Sequence, residues 1–121
     1  MPSARASKPA ATSGHPDELT AEQVAAAVVA FGLLADGTRV RMLWALREGE
    51  LDVSSLAAVA GCRPTVASQH LSKLRLAGLV EGNRRGGRQV FYRLRGGHVH
   101  ALLAEALFHA DHQVSGRPIH D

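Results

Sequence analysis

The stretch PTVASQHLSKLRLAGLV, Pro64 to Val80, decides how the chain is read. Its apolar and polar residues separate at helical spacing. Leu71 and Leu74 fall on one side, and Thr65, Ser68, Gln69, Ser72 and Lys73 fall on the other. Pro64 suits the first helical position, where no backbone N–H is needed, and Gly78 suits the end. The spacing predicts a helix from Pro64 to about Ala77, with one side on a core and one side free for a polar partner.

Before this helix, SSLAAVAG reads as a short helix capped by Asp52 or Ser54, with Leu56 and Val59 inward and a tight turn at Gly61-Cys62. Further upstream, TRVRMLWALREG carries Val40, Leu43, Trp44 and Arg47 in a three-to-four rhythm, and Gly49 ends it. Trp44 reads as a core residue, and His70 as a histidine packed at the core edge. Thr20 reads as the N-cap of AEQVAAAVVAFGLLAD, whose apolar residues occupy more than one stripe. Such a helix packs on a partner chain as well as on its own core.

After Gly78 the period changes from helical to alternating. LVEGNRR and QVFYRLR read as two strands joined by Arg85-Gly86-Gly87-Arg88, and Gly96-Gly97 ends the second. HVHALLAEALFHADH is a last helix with Leu102, Leu103, Ala106 and Leu107 apolar. The organisation expected is a disordered tail over 1–19, one domain over 20–112 and a flexible tail over 113–121.

The 121 residues suit one domain, and an apolar content of 45% suffices for a core. A chain this small buries a limited fraction of its surface, so dimerisation would help it. No apolar run is long enough for a bilayer and the N-terminus lacks a signal-peptide block, so a soluble, cytoplasmic protein is expected, with no membrane partner. The one cysteine, Cys62, excludes an internal disulfide and a thiolate cage within one chain, and reads as a small turn residue. Net charge is +3, but residues 59–95 hold eight basic side chains and one acidic, Glu81. That segment carries the footprint of a phosphate-binding module.

Helix, tight turn, helix and a basic two-stranded hairpin make a winged helix-turn-helix, mainly α with a small β wing. The second helix of such a unit enters the major groove of double-stranded DNA. Thr65, Ser68, Gln69 and Ser72 are suited to base edges, Gln69 through two hydrogen bonds to adenine. Lys73 and the turn arginines Arg84, Arg85 and Arg88 are suited to phosphates, whereas Arg93 and Arg95 decorate a strand. No nucleophile–base set and no His-Glu-x-x-His occurs, so a small histidine-based metalloenzyme is disfavoured.

ADGTRVRMLWAL, LAAVAGCRPTVASQHLSKLRLAGLV and RRGGRQVFYRL together resemble the ArsR/SmtB family of winged-helix metal-sensing regulators, over roughly residues 22–112. The resemblance implies a homodimer with the first and last helices at the interface. It implies a pseudo-palindromic operator whose binding metal usually weakens, so that metal-homeostasis genes are released. The family's Cys-x-Cys metal site falls on Asp52-Val53-Ser54, which has no thiolates.

The family's other common site lies on the last helix. Here His98 and His109 are eleven residues apart and nearly eclipsed, with His112 about a turn beyond. Eleven residues rise roughly 16 Å, and metal–nitrogen bonds are about 2 Å. One helix cannot close the site, but two antiparallel helices can, giving two sites per symmetric dimer. The family pattern begins Asp-x-His, and its Asp position is Gly96 here. The fourth ligand is sought in His120 of the tail or in Asp111, which points away with His100. His100 alone and His15 read as solvated.

The histidine-bearing tail resembles the nickel/cobalt-sensing branch, implying Ni(II) or Co(II), with Zn(II) also accommodated by such ligands. The Gly96 departure keeps open a regulator that does not itself sense metal, or that needs a partner protein.

Overall fold

The computed structural model describes residues 18–116. The tail over 1–17, with His15, and the C-terminal segment with His120 lie outside the described residues.

Helix α1 spans Ala21–Leu34 and opens on a reciprocal cap: Gln23 N–H donates to Thr20 Oγ1 at 3.0 Å, and Thr20 N–H donates to Gln23 Oε1 at 2.9 Å. Helix α2 spans Gly37–Ala45, and its cap is Asp36, which accepts from the Arg39 N–H. A single 3-10 turn, Leu46–Glu48, carries it to Gly49. Strand β1, Leu51–Asp52, runs directly into α3, Val53–Ala60. Gly61 ends α3 at φ 72°, a left-handed conformation that glycine adopts without steric cost. Helix α4 spans Pro64–Leu76 with Pro64 in its first turn, as predicted.

Strands β2, Val80–Arg85, and β3, Gln89–Leu94, form the expected hairpin, with Arg85 opposite Gln89 and Gly82 opposite Tyr92. Gly86 and Gly87 turn it at φ 59° and 79°. The sheet holds a third strand that the sequence reading missed. β1 pairs antiparallel with β3, Leu51 opposite Tyr92, so the order is β1-β3-β2. Two residues are too few for an alternating pattern to be visible. Helix α5 spans His98–Ser115 and runs three residues past His112, where a loose tail was expected to begin.

One core joins these elements. Met42, Leu43, Leu56, Leu71 and Leu74 are fully buried, with Val80 and Tyr92 from the sheet and Val99 and Leu103 from α5. Burying each large side chain stabilises the fold by about 1.5–3 kcal/mol. Two expectations need correction. Val59 is 52% exposed, and α3 packs through Leu56, Ala57 and Ala60 instead. Trp44 sits at the core edge, half-buried, where the last helix covers one face. Leu102 is largely outward, while Val99 and Leu103 make the α5 core contact.

Helix α1 buries no side chain. Val24, Val28, Val29 and Phe31 are between 44% and 62% exposed. An apolar groove of about 410 Å³ separates its end from α5, lined by Phe31, Leu34, Val40, Leu103, Leu107 and Ala110 among others. No single helix among the described residues is long and apolar enough to cross a membrane.

Candidate nucleic-acid interface and metal centre

Ala67, Leu71 and Leu74 turn one side of α4 into the core. Thr65, Ser68, Gln69 and Lys73 are exposed on the rest, and Ser72 is half-buried. Among the described residues, the four exposed side chains make no hydrogen bond or ion pair within the chain. They are free to bond to another molecule. Val66 is also 37% exposed in the first turn of α4, an apolar group of the kind that meets a thymine methyl. Sequence reasoning passed it over, because helical spacing puts Val66 between the two faces.

The hairpin arginines are not equivalent. Arg84 folds over its own turn, its Nη1 donating to the Gly87 carbonyl at 3.3 Å. Arg85 pairs with Glu50 and lies over the Phe91 ring, 4.8 Å from its centroid. Arg93 and Arg95 both face Glu81, with the Arg93 Nε donating to Oε1 at 2.9 Å. Among the described residues, the guanidinium groups of Arg88 in the turn and of Arg63 and Arg75 at the two ends of α4 make no hydrogen bond or ion pair within the chain, and all three residues are exposed. The sequence reading counted Arg63 and Arg75 in the basic segment but did not carry them into the set suited to phosphates.

Two carboxylates fix the frame. The Ser55 hydroxyl and N–H beside Asp52 hold its carboxyl below the usual range, and Gln89 Nε2 donates to the same group at 2.9 Å. Asp36 is likewise lowered, chiefly by the Arg39 N–H.

On α5, His98 is the first helical residue and is exposed, as are His109 and Asp111. His112 is different. Both of its ring nitrogens are buried and have no hydrogen-bond partner among the described residues. Its ring meets Phe108 edge-on, with centroids 4.7 Å apart. Within one chain, no three His, Cys, Asp or Glu residues among those described come together to hold a metal. A continuous α5 separates His98 from His109 along its axis, as the helical rise requires. His100, read as solvated, stacks on Trp44 with centroids 5.8 Å apart and rings 9° from parallel. Arg47 covers the same indole, its guanidinium carbon 4.7 Å from the centroid.

Comparison with known proteins bears on both surfaces. Residues 36–82 match the family described as bacterial regulatory protein, arsR family. The HTH-type transcriptional regulator KmtR of Mycobacterium tuberculosis is 46% identical over 105 residues, which cover 87% of this chain and 80% of that protein. The chain belongs to the ArsR family. A second relative, the HTH-type transcriptional regulator NmtR of the same organism, is 41% identical over 96 residues, covering 79% and 77%.

The fold agrees with solved ArsR-type structures. The homodimeric winged helix-turn-helix DNA-binding domain of a possible ArsR-family regulator from Mycobacterium bovis matches with a TM-score of 0.73 and 31% identity, covering 90% of this chain and 99% of that one. The AntR antimony-specific transcriptional repressor matches with a TM-score of 0.73 and 31% identity, covering 89% and 96%. The chain is thus a winged-helix, DNA-binding transcriptional regulator of the ArsR family and not an enzyme.

Proposed function

We propose that this ArsR-family chain is a cytoplasmic homodimer that binds a pseudo-palindromic operator and is released from it by Ni(II) or Co(II), with Zn(II) as the further candidate. The genes so controlled serve metal homeostasis. The dimer is supported by the uncovered apolar face of α1, the groove beside α5 and the homodimeric state of the Mycobacterium bovis neighbour. Each protomer presents α4 to one half-site. Thr65, Ser68, Gln69 and Ser72 face base edges there. Lys73 and Arg88 neutralise phosphates, and Arg84 and Arg85 join them once they leave their contacts within the wing.

The observation that carries the metal reading is His112. A buried imidazole with no partner costs stability, and a ligand that engages its nitrogen accounts for it. His98 of one chain would approach His109 and His112 of the other across antiparallel α5 helices, with Asp111 or His120 completing the set. Imidazole-rich donors suit these three metals. A bound ion would supply a cross-tie between the two α5 helices, and the protein's part is to hold the imidazoles apart until the dimer takes the DNA-free form. Such coupling requires tighter metal binding in that form.

Gly96 favours a second reading. It stands where the family pattern has Asp, at φ +75°, a backbone conformation that disfavours a side chain. On that reading the chain is a regulator that answers to a partner protein or another ligand and not directly to metal.

Anisotropy titration of the purified protein onto its own upstream DNA, with and without Ni(II), Co(II) and Zn(II), tests both. Release by one metal in the wild type, lost in His98→Ala and His112→Ala, is expected. Tight DNA binding that no metal alters would leave the second reading standing.

A further inference from the structure

Arg39 joins three helices. Its backbone N–H donates to Asp36 Oδ2 at the start of α2, at 3.0 Å. Its Nε donates to the Leu33 carbonyl near the end of α1, at 2.6 Å. Its Nη1 lies 3.1 Å from Nδ1 of His70 on α4. A guanidinium has donors only, so in this hydrogen bond Nδ1 is the acceptor.

The Leu33 carbonyl is among the last four of α1, which no N–H of that helix can reach. Arg39 satisfies it. The opposite end of the same guanidinium holds the reading helix. Packing of Ala67, Leu71 and Leu74 sets the depth of α4, but apolar contact is non-directional. A hydrogen bond to a ring nitrogen is directional, so His70 fixes the roll of α4 about its axis. The roll decides where Thr65, Ser68 and Gln69 point.

Helix α1, in contrast, has no fully buried residue and packs on the core only through Leu33 and Leu34 at its end, so the placement of the rest is left to what covers its apolar face. We propose that Arg39 is a positioning residue that transmits the placement of α1, at the subunit boundary, to the reading helix α4 through His70. It sets DNA affinity without touching DNA. The inference rests on the dimeric DNA-binding reading above. The guanidinium is a rigid plane. A shift of the Leu33 carbonyl therefore carries His70 with it or breaks one of the two bonds.

The test uses the full chain and its upstream DNA. Binding of wild type, Arg39→Ala, His70→Ala, His70→Gln and the double alanine variant is followed by anisotropy across a salt series. Stoichiometric titration gives each active fraction. Each single alanine variant is expected to weaken binding about tenfold, as coupled residue pairs do. The double variant is expected to bind no worse than the weaker single. The log–log salt slope stays at the wild-type value, because no phosphate contact is lost. His70→Gln recovers most of the affinity, since its Oε1 accepts a hydrogen bond.

If Arg39→Ala does not fold, Arg39→Lys replaces it, because one ammonium cannot serve both acceptors in that geometry. The inference is overturned if either alanine variant binds as wild type does, if the two losses multiply, or if the slope falls by about one for Arg39, which would mark a direct phosphate contact. Failure of the wild type to bind would instead overturn the DNA-binding reading itself.

Discussion

Gln89 donates its side-chain amide to Asp52 at 2.9 Å, and Asp52 at the same time caps α3 through the Ser55 N–H at 3.0 Å. One carboxylate therefore ties the turn end of the wing to the first helix of the helix-turn-helix. Asp52 occupies the position where the Cys-x-Cys pattern would put its first thiolate, and here that position is structural. Asp52→Ala is expected to lower Tm and to weaken DNA binding with little change in salt slope, because the wing loses its anchor and no phosphate contact.

The same group gives the protein an acid limit. Its carboxyl is held below its ordinary value by bonds made only in the folded state. The stabilisation is full above the unfolded value of about 4 and is lost as pH falls through the lower folded value. Asp36 acts in the same direction. Thermal melts between pH 7 and pH 2 are expected to show wild-type stability falling below about pH 4, and Asp52→Asn following a flatter course. Parallel curves would show that Asp52 contributes nothing to the acid limit.

Leu71 anchors α4 to the core and is fully buried. Leu71→Ala is expected to destabilise by about 2–5 kcal/mol, read as a shift in urea midpoint. Thr65→Ala, on the open side of the same helix, is expected to leave that midpoint within about 0.5 kcal/mol.

Substitutions at Lys73 and Gln69 test the proposed division between phosphate contact and base reading. Lys73→Ala is expected to weaken binding on all sequences and to reduce the salt slope by about 1. Gln69→Ala is expected to cost about 1–3 kcal/mol at one base pair and to relax preference there. Competition assays with single-base operator variants distinguish the two. A uniform loss for Gln69→Ala would remove it from the base-reading set.

His112 offers a prediction of opposite sign for stability and response. Its ring nitrogens are buried without a partner among the described residues. His112→Leu is therefore expected to raise metal-free stability by about 1 kcal/mol or more, while abolishing any release of DNA by metal. Differential scanning calorimetry of metal-free protein checks the first half. Loss of stability on that substitution would mean that the ring already has a partner.

Periodicity and punctuation made the helices legible. The split faces around Leu71 and Leu74, Pro64 at a helix start, Thr20 and Asp52 as caps and two glycines in a basic turn are local signals, and each led to the observed element. The exposed side of α4 was readable for the same reason, because a helix separates its faces by a fixed rotation per residue. Tertiary structure decided what depends on a distant neighbour. It paired Leu51–Asp52 with β3, stacked His100 on Trp44, and turned Val59 outward while Ala57 and Ala60 are buried. It also tied Arg85 to Glu50 and Arg39 to His70, thirty-one residues away. Those relationships arise from packing between segments far apart in the chain, and no local pattern of spacing or propensity encodes which distant side chain arrives.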